Sequence, residues 1–135
     1  MDFVLDASVS LAWAFEDEQN AIADHAAQLL QTGFETAYAP DIWWYEMRNI
    51  LVVGERRGRI SPASTALFLQ QIARLRIELV AERDDSELLE IARRHKLAVY
   101  DAAYLALAQR NGLPLATLDK NLEAAAAAEG VEVLK

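Results

Sequence analysis

The sequence predicts an α/β protein, a three-layer α/β/α sandwich around a central, mainly parallel sheet of five strands. Three observations predict this class. Short apolar runs alternate with longer segments that suit helices along the whole chain. Glycine, proline or asparagine stands at most of the junctions between them. The chain has 135 residues, 53% of them hydrophobic, which predicts one domain over residues 1–135.

The first half of the chain reads as strand, helix, helix, strand, helix. Phe3-Val4-Leu5 is a short β-prone run, and Asn20 can cap a helix that Gly33 ends. Pro40 stops the second strand, and Gly58 ends the long helix that follows. The predicted elements are strand 3–5, helix 9–15, helix 21–31, strand 36–39 and helix 41–57.

The second half repeats the alternation. Ser61 and Pro62 supply a cap and a first-turn proline for the next helix, and Asn111-Gly112 ends a strongly apolar one. The alanine-rich segment after the fourth strand is predicted to be helical because alanine has the highest helix propensity. The predicted elements are helix 62–75, strand 77–80, helix 86–96, a connector at 97–100, helix 101–111, strand 115–118, helix 122–129 and strand 131–134.

Composition excludes several classes of function. The chain has no cysteine, which removes disulfides, thiolate zinc sites and cysteine nucleophiles. Its five glycines form neither a dinucleotide-binding nor a P-loop motif, and no G-x-S-x-G is present. No apolar run is long enough for a membrane span and no basic signal segment opens the chain, so we expect a cytoplasmic protein without a membrane partner.

Two aspartates stand where predicted strands end. Asp6 follows the first strand and Asp119 follows the fourth. The carboxyl ends of parallel strands lie at one edge of a sheet, which is where α/β proteins bind ligands. Each aspartate has an alternative role as the N-cap of the next helix.

Glu46 is the most informative acid. At about 100° per residue it projects within about 40° of Ile42, Ile50 and Val53, in the middle of an apolar stripe. A carboxylate there is costly to desolvate unless a cation or several donors meet it, so a purely structural role requires a partner such as an arginine. Asn49 lies one turn away and is a candidate hydrogen-bond partner.

Asp101 completes a set of four acids. It projects onto the apolar side of its own helix, although as the first helical residue it has the alternative role of an N-cap. Four carboxylates brought together cannot all stay ionised without cations. Oxygen ligands with no cysteine and no nearby histidine suit Mg²⁺ or Mn²⁺, and such sites perform phosphoryl or phosphodiester chemistry.

Four motifs resemble, in order and spacing, the PIN-domain ribonucleases, specifically the VapC-type toxins of toxin–antitoxin modules. The resemblance covers nearly the whole chain. Its segments are Leu5-Asp6-Ala7-Ser8-Val9, Glu46-Met47-Arg48-Asn49, the stretch from Tyr100 to Ala108 and the stretch from Ala116 to Leu122.

The resemblance implies Mg²⁺- or Mn²⁺-dependent endonucleolytic cleavage of RNA. It makes Asp6, Glu46, Asp101 and Asp119 the metal-binding and catalytic quartet. It places Ser8, Asn49 and Thr117 beside that quartet. It also implies a homodimer and inhibition by a cognate antitoxin protein. Ala98 and Met47-Arg48 depart from the commoner residues of the family, but no carboxylate is lost, so we expect activity to survive.

RNA binding by this chain has to overcome its charge. The 13 basic and 21 acidic residues give a net charge of −8, which repels polyanions. Arg56, Arg57 and Arg59 follow the Glu46 helix and are candidate phosphate contacts, with favourable placement at a helix C-terminus as the alternative. The aromatic residues Trp13, Trp43, Trp44 and Tyr45 are expected in a core or dimer interface, with base stacking as the alternative.

Two other functions share the fold class. A receiver-like signalling domain also binds Mg²⁺ and accepts a phosphoryl group on an aspartate, but it does not require an acid within the apolar stripe of a helix. A catalytically silent interaction module, whose acids only cap helices, predicts no saturable Mn²⁺ binding. Glu46 is the residue that separates the receiver-like domain from the nuclease, and Mn²⁺ binding separates the silent module from it.

Overall fold

The computed structural model describes residues 1–81 and 83–135. The elements follow one another as strand and helix in alternation, with paired helices in three places. They are β1 (Phe3–Leu5), α1 (Ala7–Ala12), a short 3-10 helix (Glu16–Glu18), α2 (Ala21–Gln31), β2 (Ala37–Pro40), α3 (Ile42–Arg56), α4 (Pro62–Ile72), β3 (Ile77–Val80), α5 (Asp85–His95), α6 (Val99–Asn111), β4 (Leu115–Ala116) and α7 (Lys120–Ala128).

The strands form one parallel sheet in the order β3-β2-β1-β4. In its centre Val4 pairs with Tyr38 of β2 and with Leu115 of β4. All three residues of β1 are fully buried, as expected for a strand covered on both faces. The predicted α/β class with a parallel sheet flanked by helices is confirmed.

The predicted fifth strand is wrong. Segment 131–134 joins the sheet through one isolated parallel bridge, Leu115 to Val133. Leu115 N–H donates to the Glu132 carbonyl at 2.8 Å, and Leu134 N–H donates to the Leu115 carbonyl at 2.9 Å. Strand β4 is only two residues long, so it has too few backbone groups to form a longer series of hydrogen bonds with segment 131–134.

Helices cover the sheet in two groups. Helix α1 packs against α2 and α3, whereas α6 packs against α5, α7 and the three strands β1, β2 and β4. The inner positions of α6 include Leu105 and Ala108, both completely buried. Within the described parts of the chain, none of the helices combines the length and apolar character that crossing a bilayer requires. Because α6 contacts β1, β2 and β4, it lies across the sheet.

Several predicted boundaries move by a few residues. Helix 21–31 is as predicted, but the first helix is Ala7–Ala12 rather than 9–15, and the fourth ends at Ile72 rather than 75. Residues 99 and 100, predicted as connector, begin α6, with Ala98 in the N-cap position. Helix α7 begins at Lys120, two residues early, because Asp119 caps it.

Glu129 joins the C-terminal ends of three helices. Its carboxylate accepts hydrogen bonds from His95 Nε2 at 2.6 Å, Arg94 Nη1 at 2.8 Å and Gln109 Nε2 at 3.2 Å. These donors, His95 foremost, lower the pKa of Glu129 to about 2. The ionised carboxylate therefore contributes stability above its ordinary pKa, and this contribution is lost as pH falls toward about 2.

We expect Glu129→Gln to lower the melting temperature at pH 7 by roughly 3–5 °C, about 1 kcal/mol, because an amide accepts these hydrogen bonds more weakly. Thermal unfolding by circular dichroism measures the change, and exposed Glu132→Gln is the control. Equal melting temperatures for Glu129→Gln and the wild type would show that the cluster contributes nothing to stability.

Candidate active site

Asp6 lies at the carboxyl end of β1 and is 5% exposed. Its N–H donates to the Ala116 carbonyl at 3.0 Å, which holds it beside the end of β4. Its Oδ2 accepts hydrogen bonds from Ser8 Oγ at 2.6 Å and from Thr117 Oγ1 at 2.8 Å. Although Asp6 occupies the N-cap position of α1, its side chain makes no capping hydrogen bond, so the capping role considered for it is wrong.

Ser8 and Thr117 connect the two strand ends. While each hydroxyl donates to Asp6, it also accepts a backbone N–H from the chain that follows β4. Leu118 N–H donates to Ser8 Oγ and Asp119 N–H donates to Thr117 Oγ1, both at 3.0 Å. Both residues therefore contact the candidate site, and they fix one oxygen of Asp6 without adding charge.

Asp119 caps α7 and also belongs to the acidic cluster. Its Oδ1 accepts the Leu122 N–H at 3.0 Å, so the capping role is confirmed for this residue. Its negative charge nevertheless contributes to raising the pKa of both Asp6 and Asp101. A residue can do both, because the cap uses one carboxylate oxygen and leaves the second.

Glu46 lies at the edge of the buried face of α3 rather than in its middle. The buried face consists of Trp43, Met47, Leu51 and Gly54. The apolar stripe predicted around Glu46 is therefore misplaced, and Ile50 within it is 39% exposed. The error has a physical reason: α3 carries apolar residues on both its buried and its exposed sides, so residue type alone does not identify the buried one.

A tyrosine rather than an arginine meets Glu46. Tyr104 of α6 donates its hydroxyl proton to Glu46 Oε1 at 2.6 Å. Asn49, the partner considered from the sequence, is exposed to solvent. Sequence reasoning missed Tyr104. The available signal was a tyrosine one turn after Asp101 on a face of α6 that is otherwise apolar.

Asp101 lies in the first turn of α6 and is partly buried. Because Ala98 is the N-cap residue, the capping role considered for Asp101 is wrong. Burial raises the pKa of Asp101, and the charges of Asp119 and Asp6 raise it further.

The acids repel one another. Burial is the largest cause of the raised pKa of Asp6 and of Glu46, and the charges of neighbouring acids add to it in both cases. For Glu46 those neighbours are Asp6 and Asp101. The four acids thus form one electrostatically connected group. Within residues 1–81 and 83–135, no ion pair to lysine, arginine or histidine involves any member of it.

The donor chemistry of this group fits a hard divalent cation. All its ligand atoms are carboxylate oxygens, and the hydrogen bonds occupy one oxygen each on Asp6, Glu46 and Asp119. The side chains approach without forming a complete ligand shell: in the part of the chain that the structure describes, no three acidic or histidine side chains are placed to hold an ion together.

The arginines predicted to contact phosphate differ in their surroundings. Arg56 and Arg57 are exposed at the end of α3. Arg59 Nη2 lies 3.0 Å from Asp17 and 3.5 Å from Glu18, and its guanidinium stacks on Phe15 at 4.2 Å from the ring centre. Arg59 is therefore already neutralised by acidic partners.

The aromatic residues separate into buried and exposed ones. Trp43 belongs to the core, and Trp13 donates its Nε1 proton to the Ala23 carbonyl at 2.8 Å. Trp44 and Tyr45 are 44% and 66% exposed. The expectation of a core or dimer-interface position is therefore confirmed for Trp43, which lies in the core. Trp44 and Tyr45 lie outside the core of this chain, so for them the dimer interface stays a prediction.

A parallel four-stranded sheet with acids gathered at the carboxyl ends of the neighbouring strands β1 and β4 is the architecture of a PIN domain. The chain belongs to the PIN-domain family, whose model matches residues 3–128. It is similar to Ribonuclease VapC3 of Pyrobaculum aerophilum, with 31% identity over 126 residues that cover 90% of this chain and 92% of that protein. The predicted family resemblance is confirmed.

Two solved structures share the fold. PAE2754 from Pyrobaculum aerophilum superposes with a TM-score of 0.72 and 24% identity, covering 93% of this chain and 84% of that one. FitAcB from Neisseria gonorrhoeae superposes with a TM-score of 0.66 and 18% identity, covering 100% of this chain and 97% of that one.

Proposed function

We propose that this protein is a Mg²⁺- or Mn²⁺-dependent endoribonuclease of the VapC type. One observation carries the proposal: four acids gather near the carboxyl ends of β1 and β4. Their charges act on one another and help to raise the pKa of Asp6, Glu46 and Asp101, and the described residues form no ion pair with any of the four. The similarity to a protein named as a ribonuclease supports the reaction and the RNA substrate. In this proposal Asp6, Glu46, Asp101 and Asp119 hold the metal.

The residues of the site have different roles in the proposed reaction. A divalent cation bound by the quartet would activate a water molecule for attack on phosphorus and stabilise the charge on the leaving 3′ oxygen. Ser8 and Thr117 hold Oδ2 of Asp6 and so would fix this carboxylate at the end of β1. Glu46 or Asp119 would orient the attacking water, since each keeps one oxygen outside its protein hydrogen bond.

The other two functions are less well supported. A receiver-like phosphoacceptor belongs to a different family from the one that matches residues 3–128. A silent interaction module has no use for Glu46, a partly buried carboxylate that caps no helix and faces two other acids. Each alternative can be tested. Phosphoryl-donor labelling tests the receiver-like domain, and Mn²⁺ binding tests the silent interaction module.

The biological role in this proposal is that of the toxin in a toxin–antitoxin module. A cognate antitoxin protein would hold the enzyme inactive, and the net charge of −8 would attract a basic segment of such a partner. The protein would act on cytoplasmic RNA, as a homodimer.

The proposed RNA interface at the end of α3 makes a prediction about salt. Arg56→Gln and Arg57→Gln should each reduce the salt dependence of RNA affinity, by roughly 0.7 in the slope of log K against log salt for each phosphate of a single strand that the variant no longer neutralises. Arg59→Gln is the matched control, because its guanidinium already pairs with Asp17 and Glu18. Fluorescence anisotropy of a labelled RNA between low and moderate salt measures the slopes. Unchanged slopes in both variants would remove Arg56 and Arg57 from the RNA interface.

Metal dependence tests the proposed function. Purified protein incubated with total cellular RNA should cleave it in Mg²⁺ or Mn²⁺ and leave it intact in EDTA. A Mn²⁺ titration should be saturable and should weaken at least about tenfold in Asp6→Asn. Cleavage that persists in EDTA would contradict the proposed metal chemistry, and the absence of saturable Mn²⁺ binding would favour the silent module.

A further inference from the structure

Tyr104 is a buried polar residue that points at the candidate site. It is the largest of the side chains that the structure shows fully buried, with an exposed fraction of 0%. It lies on α6 three residues after Asp101, and its hydroxyl lies 2.6 Å from Glu46 Oε1 on α3. The hydrogen bond therefore connects α3 and α6 through Glu46.

The Tyr104 hydroxyl is the donor in its hydrogen bond with Glu46. Burial and the adjacent Glu46 carboxylate raise the pKa of Tyr104 far above its ordinary value. In the hydrogen bond to Glu46 the hydroxyl is the donor and the carboxylate oxygen is the acceptor. The backbone N–H of Ala7, the first residue of α1, also faces this hydroxyl and partly offsets the rise.

Glu46 needs such a partner to have a defined position. It lies at the edge of the buried face of α3, and its side chain has three rotatable bonds with solvent on one side. The Tyr104 hydroxyl holds Oε1 against α6 and leaves the second oxygen outside this hydrogen bond, in a carboxylate on which the charges of Asp6 and Asp101 act.

We propose that Tyr104 is a positioning residue for the metal site: its hydroxyl holds Glu46 in the orientation in which this acid completes the quartet. Helix α6 then supplies one acid directly, Asp101, and orients another through Tyr104. The inference rests on the proposed function, since it assigns a task to the same site. The proposed role depends on the tyrosine hydroxyl, because a phenylalanine would fill the same space in the core without donating a hydrogen bond to Glu46.

The test is Mn²⁺ affinity, measured on the protein alone by electron paramagnetic resonance of the free ion. Tyr104→Phe keeps the ring and should weaken Mn²⁺ binding by about tenfold or more, the loss typical when the hydrogen-bond partner of a metal ligand is removed. Tyr100→Phe on the same helix, where the side chain is 60% exposed, is the matched control and should bind as the wild type does.

A double-mutant cycle separates positioning from a general effect on the fold. In a Glu46→Ala background, Tyr104→Phe should cause no further loss of Mn²⁺ affinity, because the residue it positions is gone. An equal loss in both backgrounds would overturn the proposal, and so would wild-type affinity in the single variant, while the proposed metal site would stand. If the wild type binds no Mn²⁺, the proposed function fails first and this inference falls with it.

Discussion

Asp101→Asn is expected to lower kcat/KM for RNA cleavage by about 10²–10³-fold or more, the loss typical when one group that stabilises transition-state charge is removed. An amide is a much weaker ligand for a hard cation than a carboxylate. The change is nearly isosteric and Asp101 caps no helix, so the fold should be retained. Initial rates with an end-labelled RNA in Mn²⁺ measure the effect.

The matched control is Asp24→Asn on α2, an exposed acid outside the cluster, which should cleave as the wild type does. Circular dichroism confirms that both variants are folded. Retained cleavage by purified, folded Asp101→Asn would remove this residue from the proposed quartet.

Asp6→Asn is expected to stabilise the metal-free protein. The wild-type carboxylate is buried and repelled by Asp119, and these effects raise its pKa. An amide oxygen still accepts from Ser8 and Thr117 but carries no charge. We expect the melting temperature in EDTA at pH 7.5 to rise by roughly 3–5 °C, about 1 kcal/mol.

The pH dependence of this difference has a definite sign. A carboxyl whose pKa is raised in the folded state destabilises the fold when it is ionised, and the cost disappears as the group binds a proton. The advantage of Asp6→Asn should therefore be largest at neutral pH, decrease as pH falls through the raised pKa of Asp6, and vanish below its ordinary value near about 4.

Thermal unfolding from pH 7.5 to pH 4.5 measures the difference, and comparing two variants at each pH cancels the titration of groups they share, such as Glu129. Mn²⁺ should reverse the order by raising the melting temperature of the wild type more than that of Asp6→Asn. A variant less stable than the wild type in EDTA at neutral pH would contradict the proposed charge repulsion.

The parallel sheet and the carboxyl ends of β1 and β4 could be predicted from the sequence because they depend on local signals. A buried apolar run followed by an aspartate specifies both the strand and the position of Asp6, and the sheet then brings Asp119 nearby. The boundaries of α1 and α6 could not be predicted, since their first residues resemble the neighbouring connector in composition. The prediction of a fifth strand was wrong because the composition of segment 131–134 does not show that β4 is too short to pair with it over its whole length.

The partners of the acids depend on tertiary packing and were largely beyond sequence reasoning. The sequence places Glu46 on a helix with apolar residues on two sides, and only the tertiary fold brings the Tyr104 hydroxyl of α6 to the Glu46 carboxylate of α3. Tyr104 looked like any other core aromatic, although its hydroxyl defines the position of Glu46. By contrast, Ser8 and Thr117 lie next to the strand ends in sequence, and both contact Asp6 in the structure.

Sequencing of new 5′ ends tests the central claim most directly. Total cellular RNA is incubated with antitoxin-free protein in Mg²⁺ or Mn²⁺, with EDTA and Asp101→Asn as parallel controls. A metal-dependent endoribonuclease built on the acidic quartet predicts discrete new ends that disappear in both controls. Ends that persist in EDTA or in Asp101→Asn would contradict it.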